Sequence, residues 1–185
     1  MLKKNLLFLL SIYFTLTSNV LSDQKKKIID HISNLNTLEF TFKQEINDKI
    51  EEGDCLLKFP GKLKCNYYDS KEKELVINNR RLAITQKRYD KTYFYPISKS
   101  PFLNILYKEK LLEIVKSGKL QKKNNHLQLI YNFQNSITVL FDENNFELKG
   151  WKILDQYNNR IVFNLKIIAK NADLSEDVFE LPLIN

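Results

Sequence analysis

The chain has 185 residues, 43% of them apolar, with only four glycines and four prolines, which suits one domain with a real core and excludes repeat and low-complexity architectures. Its formal net charge is +7, but the lysines are scattered singly along polar stretches, so no nucleic acid is expected as a partner. Two distant histidines, and glycines only at 53, 61, 118 and 150, leave no Ser-His-Asp arrangement, no zinc spacing and no phosphate loop; the expectation is a protein that is not an enzyme and holds no cofactor or metal.

Residues 1–22 read as a signal peptide. Met1 to Lys4 is positive, Asn5 to Leu16 is mostly apolar, and Val20-Leu21-Ser22 fits a signal-peptidase site before Asp23. The alternative is an uncleaved anchor helix, for which the apolar stretch is short beside the roughly 20 residues that a bilayer demands. No cysteine lies near the cut, so the mature domain, 23–185, is expected without a lipid of its own.

Asp23 to Asn36 predicts a helix. Ile28, Ile29, Ile32 and Leu35 form one stripe, Ser22 or Asp23 caps the start, and His31 falls on the polar side. From Leu38 the pattern alternates: Leu38, Phe40, Phe42 and Gln44 point one way, Glu39, Thr41, Lys43 and Glu45 the other, the period of a strand with one dry face. Glu51-Glu52 reads as a solvated turn. Two strands follow around Pro60-Gly61, where proline presets a turn and glycine accepts its angles, so Leu38 to Tyr67 starts an antiparallel sheet.

Leu75-Val76-Ile77 and Arg80 to Thr85 form a hairpin around Asn78-Asn79, and Lys91 to Tyr95 is an aromatic strand ending at Pro96. Ser100-Pro101 predicts a capped, short apolar helix through Phe102, Leu103, Ile105 and Leu106, with a further helical segment from Lys110 to Gly118. His126 to Phe133, Ile137 to Phe141, Leu148 to Leu154 and Ile161 to Ile168 are strands, separated in part by turns at Asn124-Asn125 and Asp142 to Asn145.

Two cysteines in an exported chain suggest a disulfide. With Phe59 opposite Leu63 across Pro60-Gly61-Lys62, Cys55 and Cys65 are diagonal neighbours, at the far end of what a disulfide tolerates. A bulge at Gly61 brings them together; without it they are two buried thiols acting as small apolar residues. Both readings stay open here.

The stretch Phe42-x-Gln44, Glu52-Gly53-x-Cys55-x-Leu57-Lys58-x-Pro60, Leu63-Lys64-x-x-Tyr67, with the ending Phe179 to Pro182, resembles the periplasmic carriers of outer-membrane lipoproteins, the LolA family. The resemblance spans about Asp23 to Pro182 and rests on the order and spacing of individually weak motifs. It implies an α+β, mainly antiparallel fold: an incomplete half β-barrel with helices covering the concave face. It further implies a periplasmic chaperone that binds the acyl chains of lipoproteins, takes them from an inner-membrane lipoprotein-releasing ABC transporter, and delivers them to an outer-membrane receptor. The protein is expected to act as a monomer. Leu38, Phe40, Phe42, Leu57, Phe59, Leu63, Tyr67 and Tyr93 are the expected cavity lining, and Phe102, Leu103 and Leu106 the expected lid. Two departures stand out. The family's arginine before proline, which helps hold the lid closed, is Phe59 here, and Cys65 replaces an expected tryptophan. The competing readings are a lipid-binding or lipoprotein-sensing envelope protein, and a structural envelope module with a filled core.

Overall fold

The structure is a computed structural model that describes residues 21–98, 100–133, 135–154 and 158–183. Nearly all of the expected signal peptide lies outside the described residues. Helix α1 covers 21–33 and is followed by β1 (Thr37–Ile46), β2 (Lys49–Lys58), β3 (Lys62–Tyr67), β4 (Lys73–Asn78), β5 (Arg81–Gln86) and β6 (Lys91–Pro96). Two helices, α2 (Leu103–Leu106) and α3 (Lys108–Ser117), precede β7 (Lys119–Lys123), β8 (His126–Phe133), β9 (Asn135–Asp142), β10 (Leu148–Leu154) and β11 (Arg160–Lys170).

The eleven strands make one open antiparallel sheet in the order β6-β5-β4-β3-β2-β1-β11-β10-β9-β8-β7. Its only non-sequential neighbours are β1 and β11, so the strands from the two ends of the chain meet in mid-sheet. The two edges, β6 and β7, are consecutive strands, joined through α2 and α3. The α2–α3 arm must therefore cross from one edge to the other, and it does so over the concave face. This is the expected half-barrel with its helical cover.

The concave face follows from alternation. Leu38, Phe40 and Phe42 on β1 are buried, as are Cys55 and Leu57 on β2 and Leu63 and Cys65 on β3. From the helices, Ile28, Ile32 and Leu35 of α1, Ile105 and Leu106 of α2, and Leu111, Ile114 and Val115 of α3 join the same core. Removing this apolar surface from water is the main drive to fold. A smaller packing occurs on the convex side. Val76 and Ala83 are buried there, beneath a C-terminal strap whose short turn Glu176–Phe179 rests on β3 and β4 and buries Phe179. Glu176 pairs with Lys58 and Lys62, and Lys58 Nζ also donates to the Leu174 carbonyl at 2.6 Å.

Several expectations need correction. The β2–β3 register sets Lys58 opposite Lys62 and Leu57 opposite Leu63, so Phe59 leaves the ladder and the loop is Phe59-Pro60-Gly61. That two-residue shift places Cys55 directly opposite Cys65, with Cα atoms 4.1 Å apart, and they form a disulfide. Glu51 and Glu52 are not in a turn but on β2. Helix α2 begins at Leu103, because the Ser100 hydroxyl accepts from the Phe102 amide in a preceding turn. Strand β7 was not foreseen, since its Lys-Leu-Gln-Lys-Lys carries one apolar residue and too little alternation.

Candidate functional site

Two rows of side chains cross the concave face. One runs Phe40, Cys55, Cys65, Leu75, Ile84, Tyr93; the other runs Leu38, Leu57, Leu63, Ile77, Leu82, Tyr95. Each is buried at its β1 end and open at its β6 end. Leu75, Leu82 and Ile84 are half-buried, while Tyr93 and Tyr95 are 43% and 47% exposed. The face is thus a groove, filled under the helices and open toward β6. Tyr93, expected inside the cavity, sits on the correct face but at its rim, because the helices do not reach the sheet edge.

The filled part is organised by aromatic rings. Tyr67 meets Phe42 edge-on at 5.0 Å, Phe42 stacks on Phe163 at 4.9 Å, and Phe163 stacks on Trp151 at 4.3 Å. Phe102, just before α2, reaches Trp151 at 5.4 Å. Each such pair contributes about 0.5–1.5 kcal/mol beyond its buried area. Gly53 permits the row: a Cβ there would lie 2.1 Å from the Asn66 carbonyl oxygen and 2.7 Å from the Phe42 ring.

Beyond Phe42 the groove ends in a polar cluster. Glu51 accepts from Lys49 and Lys73, each at 2.8 Å, and from Gln44 at 3.2 Å; Lys73 Nζ also lies 3.6 Å from the centre of the Tyr67 ring. Burial pushes the Glu51 carboxyl up, but the two lysines outweigh it and hold it below the usual carboxylate range. Burial, then the charges of Glu51 and Asp69, push the Tyr67 phenol well above its ordinary value.

The arm is tied down by exchangeable polar bonds. Gly61 N–H donates to the Leu106 carbonyl at 2.7 Å, joining the β2–β3 loop to the end of α2. Lys108 Nζ donates to the Ser33 carbonyl at 3.2 Å and to Asn36 Oδ1 at 3.1 Å, and lies 5.9 Å from the centre of the Phe59 ring. Lys25 Nζ donates to the carbonyls of Lys116 and Gly118 at 3.1 and 2.7 Å.

Of the expected lining, Leu38, Phe40, Phe42, Leu57 and Leu63 are buried together, and Phe59 and Tyr67 pack at the margin of the core. Of the expected lid, Leu106 is buried and Phe102 and Leu103 are half-buried against the core. Sequence reasoning missed Phe163, which lies in the last long strand and is brought beside Phe42 only by the β1–β11 pairing. It also missed the Glu51–Lys73 cluster, whose members sit on different strands. A separate cleft of about 460 Å³ lies between α1 and the β9–β10 turn, lined in part by His31, Asn34, Phe146 and Lys170. Among the described residues there is no group of histidine, cysteine, aspartate and glutamate placed to hold a metal, and no helix long and apolar enough to cross a membrane.

No curated protein matches the chain. Among solved structures, an uncharacterized conserved protein from Thermus thermophilus is similar at 8% identity, covering 90% of this chain and 94% of its own, with a TM-score of 0.53. MucB is similar at 13% identity and a TM-score of 0.50; the match covers 87% of this chain but 62% of MucB, which has also been solved in a Pseudomonas aeruginosa MucA/MucB complex. A LolA superfamily protein from Nitrosomonas europaea matches at 8% identity, over 86% of this chain and 97% of its own, with a TM-score of 0.46. The family model described as outer membrane lipoprotein carrier protein LolA matches residues 33–182, and the chain belongs to that family.

Proposed function

We propose that the mature chain is a periplasmic lipoprotein carrier that catalyses no reaction of its own. It takes the acyl chains of a lipoprotein from an inner-membrane lipoprotein-releasing ABC transporter, shelters them beneath the α2–α3 arm, and hands them to an outer-membrane receptor. The observation that carries this reading is the burial gradient across the concave face, from buried Leu38 and Phe40 to exposed Tyr95 and Tyr93. Acyl chains would enter at the open end and replace arm side chains against Leu38, Phe40, Phe42, Leu57 and Leu63. Each buried methylene contributes about 0.8 kcal/mol, so a few displaced contacts are readily offset. The polar bonds holding the arm exchange with water at little net cost. Family membership supports the cargo class.

The test uses mature protein starting at Asp23, added to inner-membrane vesicles bearing labelled lipoprotein and their exporter. A soluble one-to-one complex supports the carrier. No release, with the exporter active, favours a sensor or a filled-core module.

A further inference from the structure

The charge of the chain is not spread evenly. Lys3 and Lys4 supply two of the formal +7, leaving +5 for the rest; residues 80–96 alone hold five cations and one anion, so +4 of it lies in the β5–β6 hairpin. Three of the four arginines of the chain, Arg80, Arg81 and Arg88, are there, and all five cations are exposed. Lys87 pairs with Glu74 at 2.8 Å, whereas Arg80, Arg81, Arg88 and Lys91 form no ion pair among the described residues. Arg81 lies 6.0 Å from the centre of the Phe94 ring. Tyr89 lies in the same turn as Lys87 and Arg88, and Tyr93 and Tyr95 stand on edge strand β6 between that turn and Arg80, on the face opposite Arg81 and Phe94; the three tyrosines are 53%, 43% and 47% exposed.

We propose that the β5–β6 hairpin is a docking surface for anionic phospholipid membrane. The reading rests on the carrier function above and adds the place of transfer. Basic side chains gain from the negative potential of anionic headgroups, and tyrosines prefer the interface, where ring and hydroxyl meet different media. An acidic polypeptide would use the cations but has no need of three exposed rings, so the combination favours a membrane. The same edge is the open end of the groove. Docking there sets Tyr93 and Tyr95 against the bilayer, so that the open end of the groove is held at the membrane surface where the exporter releases, or the receptor accepts, the acyl chains.

The test is flotation of the mature protein with vesicles of phosphatidylcholine alone or with about a third phosphatidylglycerol. Binding is expected only with the anionic lipid and is expected to weaken with salt. Arg80→Gln with Arg81→Gln should lower the partition roughly 30-fold. Lys119→Gln with Lys123→Gln, the same charge change on the opposite edge, should lower it less than 3-fold or so. Tyr93→Ser with Tyr95→Ser should also weaken binding. Melting curves confirm that each variant is folded. No binding to anionic vesicles, or equal loss from both charge pairs, overturns the proposal. So does full competition by polyglutamate with no effect of the tyrosine variants, which would mark an acidic-protein site. A fluorescent fatty acid added without vesicles reads the groove separately. Acyl binding without flotation overturns docking alone; flotation without acyl binding overturns the carrier reading alone.

Discussion

The amide of Gly61 donates to the carbonyl of Leu106 at 2.7 Å, so a loop between two strands of the sheet holds the end of the first arm helix. Gly61 has φ of +73°, and a Cβ there would lie 2.9 Å from the Tyr107 phenol oxygen. Gly61→Ala is therefore expected to lower stability by about 1–3 kcal/mol. Hydrogen exchange should speed up across 103–118 more than in β1 and β11. Uniform acceleration would mean that the loop does not latch the arm.

Phe59 stands where the resemblance leads one to expect arginine, and Lys108 Nζ of the arm lies 5.9 Å from the centre of its ring. Phe59→Arg sets a like charge beneath Lys108 and should change the release of a bound acyl probe several-fold, with a stability loss under about 1.5 kcal/mol. If urea denaturation showed a larger loss and release were unchanged, Phe59 would be core and nothing more.

The Cys55–Cys65 disulfide joins residues ten apart on facing strands. Cys55→Ala with Cys65→Ala should cost about 2–3 kcal/mol by freeing that loop in the unfolded chain. Denaturation of the wild type under reductant should approach the double variant, whereas a wild type insensitive to reductant would show that the bond is not formed.

Gly53→Ala forces a methyl group against the Asn66 carbonyl and the Phe42 ring. Neither backbone nor stacked ring can move freely, so a loss of about 3 kcal/mol or more is expected. A melting temperature near wild type would show that β2 slides to make room.

Two pH windows follow from the shifted groups. His31 is held below its usual value of 6.5 by burial first and then by Lys170, against the opposing pull of Glu147. The unfolded chain then binds the proton more readily, so this contribution is present above the unfolded value and lost as pH falls below it. Glu51, held below 4.5, contributes above its unfolded value and loses that contribution as pH falls through its lower folded value. Denaturation midpoints from pH 8 to 3 should show both, with His31→Asn flattening the upper window and Glu51→Gln the lower. Superimposable curves for wild type and both variants would refute the assignment.

The apolar alternation of Leu38, Phe40 and Phe42 needed no structure, because a strand sends alternate side chains to opposite faces whatever it pairs with. The stripe of α1 and the Pro-Gly loop were legible for the same local reason. The disulfide is not decided by the sequence, because pairing register depends on how many residues the loop consumes, and a shift of two residues decides whether Cys55 and Cys65 meet. Glu51 reads as a turn residue because the stretch after Gln44 is mostly polar up to Gly53, and its partner Lys73 comes from a strand two places away in the sheet.

The sequence by itself determined the alternating strands and the amphipathic helices, which rest on neighbours within a few residues, and a family pattern carried by the order and spacing of weak motifs along the chain. The tertiary structure alone decided which strands meet. By pairing β1 with β11 it brought Phe163 beside Phe42, and by making β6 and β7 the two edges it sent the arm across the concave face. The extent of that cover is a matter of reach. Two short helices crossing an eleven-stranded sheet leave Tyr93 and Tyr95 in solvent, and no local pattern in the chain records where a cover stops.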